Sequence, residues 1–201
     1  MPINLVRNFL IFGLPRSRTA WTANLFTTGP VFCHHDGLRY SEDPPDLRTV
    51  LESPVDATHV GNCDNGMAIW AEDVLNQFPQ ARVGVIQREP RDALASLKAY
   101  HSRQGDDIPM AACEKIIHDT QLGLDLVKAS SRCDLCVPFD GLNSMNVLYS
   151  LWVAMIGGGG AFDRDRAKAL TGMHIELHRP VYDQGITKEF AKVAYDYVEG
   201  N

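Results

Sequence analysis

Residues 8–12, NFLIF, form an almost wholly apolar run that stops at the turn-forming stretch 13–18, with its glycine, proline and polar residues. A short apolar run bounded by turn signals predicts a buried strand, and residues 19–26 predict the helix that follows it. Strand signals recur at 31–34, more weakly at 58–61, and again at 83–86. Between them, 46–52 predicts a short helix after the Pro44-Pro45 break. Helical apolar spacing runs over 67–78, at Met67, Ile69, Trp70, Val74, Leu75 and Phe78. Pro90 suits a first helical position and opens a helix to about Tyr100. The second half reads as helical over 110–129, 145–155 and 188–198, with one strand at 136–139.

Strands that alternate with helices predict an α/β protein of three layers, with a parallel central sheet flanked by helices on both faces. The 201 residues suit one domain, 1–201. No internal repeat is present. The glycines at 157–160 read as a helix stop and loop.

Composition narrows the function classes. The net charge of −6 argues against a broad electrostatic grip on nucleic acid or an acidic membrane, but it leaves room for one basic cleft. The first residues lack the basic flank, long apolar segment and cleavage site of a signal peptide. No apolar run approaches the roughly 20 residues that span a bilayer. A soluble, cytoplasmic protein is expected. The five cysteines are odd in number and have no framework spacing, which predicts reduced thiols. Cys133 and Cys136 form a CxxC, but no second pair at similar spacing offers a zinc site, and the pair leads into a strand rather than opening a helix. No metal site is expected.

The strongest chemical signal is FLIFGLPRSRTAW at 9–21, a strand running through a Gly-Pro turn into a helix. The first amides of a helix lack internal partners and carry the positive end of its dipole, so a phosphate or sulfate group can be held there. Ser17 and Thr19 add hydroxyls, and Arg16 adds a planar cation. A Walker A loop needs G-x-x-x-x-G-K-S/T. Counted from Gly13, Arg18 and Thr19 stand where that motif needs Gly and Lys. A second strand-turn-helix signal lies in ARVGVIQREPRDALASLKAY at 81–100, with Arg88 at the strand end and Ser96 on the helix.

Together these segments resemble the PAPS-dependent sulfotransferase family, whose co-substrate is 3′-phosphoadenosine-5′-phosphosulfate (PAPS). PRSRTAW is similar to that family's 5′-phosphosulfate loop, P-K/R-S-G-T-T/S-W/L. Pro15, Arg16, Ser17, Thr19 and Trp21 are in register, Arg18 replaces the Gly, and Ala20 replaces a hydroxyl residue. REPRDALAS resembles the 3′-phosphate element R-D/N-P-x-D-x-x-x-S through Arg88, Pro90, Asp92 and Ser96, with Glu89 in place of Asp or Asn. FPQAR at 78–82 resembles the lead-in common in bacterial members. VPFDGL at 137–142 resembles V-x-Y-E-D-L through Asp140 and Leu142. The likeness is firm over 8–100 and loose beyond.

The resemblance implies a P-loop-like sulfotransferase architecture and sulfuryl transfer from PAPS to a hydroxyl or amine acceptor, with PAP as product. The nucleotide would be bound by Pro15, Arg16, Ser17, Arg18, Thr19, Ala20, Trp21, Arg88 and Ser96, with Arg16 stabilising charge on the leaving oxygen. A base must take the acceptor's proton. Asp36, with His35 beside it, stands where bacterial members often carry an acid. His59, in THVG, resembles the histidine base of cytosolic members, and Asp64 follows on the same segment. His101, His118, His174 and His178 lie outside the matched motifs. The R-K-G and G-x-x-G-x-x-K element that closes over the nucleotide in cytosolic members is absent, and Arg164 or Arg166 is a substitute cation. This chemistry requires no metal. The runner-up readings are a non-catalytic PAP/PAPS-binding relative and a small P-loop kinase. Acceptor identity and oligomeric state have no sequence code here.

Overall fold

The computed structural model of the chain describes residues 7–40, 46–51, 57–103, 105, 108–157, 162–171 and 173. The predicted helix at 188–198 lies outside the described residues. Five strands, β1 (Arg7–Gly13), β2 (Val31–His35), β3 (His59–Asp64), β4 (Arg82–Gln87) and β5 (Leu135–Pro138), form one sheet in the order β2-β3-β1-β4-β5. Every ladder is parallel. Parallel ladders need crossovers, and helices supply them: α1 (Thr19–Phe26), α2 (Arg48–Leu51), α3 (Ala71–Gln77), and α4 (Pro90–Arg103) with α5 (Met110–Ala129). Two further helices, α6 (Met145–Ile156) and α7 (Arg164–Thr171), follow β5. The protein is a three-layer α/β fold of the P-loop-like kind.

Strand residues alternate faces, which divides the core in two. Leu10 and Phe12 of β1, with Val60, Val83 and Val85, pack against α2, α3, α4 and α5. Phe9 and Ile11, with Cys33, Cys63 and Ile86, pack against α1, α6 and α7. On α5 the buried positions Cys113, Ile117, Thr120, Leu124 and Val127 recur at helical spacing and turn one stripe to the sheet. Opposite, Phe26 lies 5.2 Å from both Phe9 and Trp152, ring centre to ring centre. Gly123 is required by close approach: a Cβ there would collide with the Ala68 carbonyl of the 3₁₀ turn Gly66–Ala68. Among the described residues, no helix is long and apolar enough to cross a membrane.

The structure differs from the sequence expectation at several elements. The helix expected over 67–78 is split into the 3₁₀ turn Gly66–Ala68 and α3. Trp70, at φ −112° and ψ 30°, leaves the helical region and interrupts the ladder. The weak strand expected at 58–61 is the fully buried β3, running to Asp64. Phe139, expected to end a strand, starts the 3₁₀ turn Phe139–Asn143. The unexpected α7 is fastened to α1: Trp21 Nε1 donates to the Leu170 carbonyl (2.8 Å), and Arg166 donates through Nε and Nη2 to the Asn24 carbonyl.

Candidate anion-binding site

β1 and β4 are neighbours, but the chain leaves β1 toward β2 on one side and leaves β4 toward β5 on the other. Strands whose connections diverge leave a crevice at their carboxyl ends, where ligands bind in open parallel sheets. Gly13 ends β1 and Gln87 ends β4, so the loop 14–18 and Arg88 flank that crevice.

The loop is tightly curled. Ser17 N–H donates to the Leu14 carbonyl (3.1 Å), and both Arg16 (φ 66°) and Arg18 (φ 58°) adopt left-handed backbone. Non-glycine residues seldom do so. Alternation of such residues is the backbone form that gathers N–H groups around an anion. α1 begins immediately after, and its first intrahelical partner is the Arg18 carbonyl, accepting from Thr22 (2.8 Å). The amides of the first turn therefore face outward from the helix start, and the loop brings no acidic residue to that end. Ser17 is fully buried, yet its hydroxyl has no hydrogen-bond partner among the described residues. Leaving such a group unmatched costs about 1–3 kcal/mol, which a ligand oxygen would recover.

Three guanidiniums converge here. Arg88 Nη1 donates to the Arg16 carbonyl, and Arg88 Cζ lies 4.2 Å from the ring centre of Phe139. Arg18 also approaches the Phe139 ring, at 5.3 Å, and donates through Nη1 to Asn143 Oδ1 (2.8 Å). Arg16 stacks on Tyr100 of α4 at 4.5 Å. Neither Arg18 nor Arg88 has a carboxylate within ion-pair distance among the described residues. Burial lowers the proton affinity of Arg88; Asp92 and Asp140 raise it in part, and Arg16 and Arg18 lower it. An acidic chain thus concentrates positive charge at one crevice.

Ser96 is half-buried on α4, one turn from Asp92 and one turn from Tyr100. Residues four apart share a helix face. Because Tyr100 touches Arg16, this stripe puts Ser96 on the crevice side of α4, while Ala93 and Leu97 turn to the core.

The carboxyl ends of β2 and β3 border the same loop. Thr19 Oγ1 lies 3.0 Å from His35 Nε2, and His35 Nδ1 lies 3.3 Å from Asp36 Oδ1. Asp36 has a left-handed backbone (φ 53°). Asp64 is buried and accepts from the Leu38 and Gly66 amides at 3.2 and 2.7 Å. Burial, reinforced by Asp36, raises its carboxyl to about 6.

No protein-family model matches this chain, and no curated protein matches it.

The structure therefore brings Arg16, Ser17, Arg18, Thr19, His35, Asp36, Arg88 and Ser96 to one end of the sheet. Pro15 is buried within the loop turn, and Ala20 is half-buried on α1. Trp21 is buried, with its indole N–H given to Leu170 and its ring packed in the core between α1 and α7, 5.9 Å from the Arg18 guanidinium. His59 is taken away from the crevice. It opens β3, opposite Arg7 and Val31, at the amino end of the sheet. Five residue-to-residue steps of strand, about 17 Å at roughly 3.3 Å per step, separate it from Asp64. Burial and the charge of Arg7 lower its proton affinity. Arg166 is committed to Asn24, and Arg164 lies over Tyr149, so neither joins the three arginines. Cys133 and Cys136 are free thiols held protonated chiefly by burial. Sequence reasoning missed Tyr100, Phe139 and Asn143, which hold the guanidiniums in place.

Proposed function

We propose that this chain binds PAPS in the crevice between the carboxyl ends of β1 and β4 and transfers its sulfuryl group to a hydroxyl or amine acceptor. The observation that carries this reading is the contact between its two phosphate-type elements, in which Arg88 donates to the carbonyl of Arg16. The curled loop, the unmatched Ser17 hydroxyl and the paired positive ends of Arg18 and Arg88 support it further. Arg16, Ser17, Thr19 and the first amides of α1 would hold the 5′-phosphosulfate, and Arg88 with Ser96 the 3′-phosphate.

In the reaction, the acceptor oxygen or nitrogen attacks sulfur. A bond to sulfur forms as the bond between sulfur and the 5′-phosphate oxygen breaks, and PAP leaves with that electron pair. Arg16 offsets the charge growing on the leaving oxygen. The acceptor's proton passes to Asp36, the more exposed member of the His35–Asp36 pair.

Calorimetric titration with PAP, and separately with ATP and magnesium, tests the site. Tight PAP binding with weak ATP binding supports it, and transfer of labelled sulfate from PAPS tests the reaction. A preference for ATP would favour a small kinase, and binding of neither would end the reading. PAP binding without transfer is the second reading, favoured by the stacking of Arg16 on Tyr100, which holds that guanidinium against α4.

A further inference from the structure

The contact between Thr19 and His35 puts a constraint on the loop. Asp36 Oδ1 lies 3.3 Å from His35 Nδ1. A carboxylate there favours a hydrogen on Nδ1, and the partner of one ring nitrogen fixes the state of the other. In the neutral ring Nε2 is then a bare acceptor, and the Thr19 hydroxyl, 3.0 Å away, donates to it. A hydroxyl has only one hydrogen to give. Thr19 is the first residue of α1, beside the outward amides and left-handed Arg18, and it makes no other side-chain hydrogen bond among the described residues. A phosphate oxygen at that helix start would need the same hydrogen, because it too is only an acceptor.

The conflict is removed if the ring gains a proton. Imidazolium donates from Nε2 to a lone pair of Thr19 Oγ1 and from Nδ1 to Asp36, and the hydroxyl hydrogen is released to the anion. We propose that His35 is a positioning residue for the anion loop: it sets the donor state of the Thr19 hydroxyl, and binding of a phosphate-type anion at the start of α1 draws one proton onto the His35 ring. This rests on the reading that the loop holds a phosphate.

The charged surroundings suit such a proton. Asp36 faces the ring from its own turn, and Asp64 lies near it at the end of β3; both carboxylates favour imidazolium. Cys63, opposite His35 in the β2–β3 ladder, is a buried thiol raised well above its usual range and stays neutral. α1 carries no ionisable side chain, and the opposing cations, Arg16 and Arg18, lie on the loop before it. The proton arrives together with the anion, whose charge offsets theirs.

PAP titrated calorimetrically at pH 7.5 in two buffers of different ionisation enthalpy gives the protons taken up per PAP. The phosphates of PAP exchange protons too, but equally for wild type and variant, so the comparison with His35→Gln isolates the ring. Wild type should take up more protons than His35→Gln, by up to about one per PAP, and above the ring's own pKa its affinity should fall by up to about tenfold per pH unit more steeply. Thr19→Val, which keeps His35 but removes the shared hydroxyl, should lose the same excess. Equal proton counts and equal pH slopes in wild type and in either variant that binds PAP would overturn the proposal while leaving the nucleotide site standing. Failure of wild type to bind PAP would overturn both.

Discussion

Arg88→Ala separates the loop contact that the geometry gives this side chain from its proposed contact with a 3′-phosphate. Nη1 of Arg88 is committed to the Arg16 carbonyl, so part of the guanidinium shapes the loop. Nε is buried and has no partner among the described residues, which leaves the rest of the fork for a ligand. The loop contact acts on every nucleotide that uses the 5′ site, and its loss should cost about 1 kcal/mol, or roughly fivefold in affinity. The proposed 3′-phosphate contact would act only on nucleotides that carry that group. A charge-assisted bond from a guanidinium to phosphate is worth about 1.5–3 kcal/mol, or roughly 10- to 150-fold.

PAP binding to Arg88→Ala should therefore weaken by roughly 50- to 750-fold, and AMP binding by only about fivefold. Arg88→Lys should fall between, because it keeps the charge and loses the planar fork. Calorimetric titration of both nucleotides against wild type and the two variants reads all of these values, and the thermal midpoint of each free variant checks that the fold is intact. The substitution also removes a cation stacked on Phe139, worth about 0.5–2 kcal/mol, so a small fall in the midpoint is expected. Equal fold-losses for PAP and AMP would refute the assignment of Arg88 to a 3′-phosphate, whatever the size of the loss.

Two further outcomes follow from the same geometry. Asp64, raised to about 6, keeps in the folded chain a proton that the unfolded chain releases near pH 4. Its contribution is therefore most favourable at low pH and declines as pH rises through that window, by about 3 kcal/mol in all. Urea unfolding of wild type between pH 4 and 6.5 should show this decline relative to Asp64→Asn, and parallel curves for the two proteins would contradict it. His59→Ala should leave PAP affinity within about twofold of wild type, since the length of β3 parts it from the crevice. A loss of tenfold or more would put the site at the wrong end of the sheet.

Among the strands of the first half, β1 and β4 were the most legible because a strand buried on both faces tends to be a near-continuous apolar run, whereas β3, HVGNCD, is fully buried yet carries His59, Asn62 and Asp64 and so signals only weakly. NFLIF and RVGVI have no other reading that fits their length. The helix expected over 67–78 misled because the apolar spacing of Ile69 and Trp70 is helical while the Trp70 backbone is not, and both side chains are exposed. His59 was weighed as a base because its neighbours read T-H, and nothing local tells at which end of a strand a residue sits. Only the pairing of His59 with Arg7 settles that. Trp21 was in register with a binding motif, but register does not report that its indole turns to Leu170. α7 had a usable signal, the spacing of Ala167 and Leu170 behind an acidic first turn, obscured by its many charges. Phe139, Tyr100 and Asn143 had none, since their contacts with the arginines span 125 residues in one case and join separate layers of the fold.

The left-handed arginine at position 18 ties these contacts together. The sulfotransferase loop that this segment resembles carries glycine there, and glycine takes that backbone without strain, whereas a side chain costs roughly 1–2 kcal/mol. An arginine earns its place only through what the side chain reaches. Here it reaches Asn143 and Phe139, and Arg88 packs on the same Phe139 ring while holding the Arg16 carbonyl. The loop, the end of β4 and the turn after β5 are thereby fastened to one another, and a loop held in one shape loses little freedom when a ligand arrives. The fastening also keeps Arg16, Arg18 and Arg88 close enough for their charges to oppose one another. Glycine at 18 would relieve the backbone strain and part of that repulsion, and it would at once release the turn after β5 from the loop. Arginine there is a stable choice when an anion offsets the repulsion, so the strain at position 18 and the crowding of positive charge have a common physical origin.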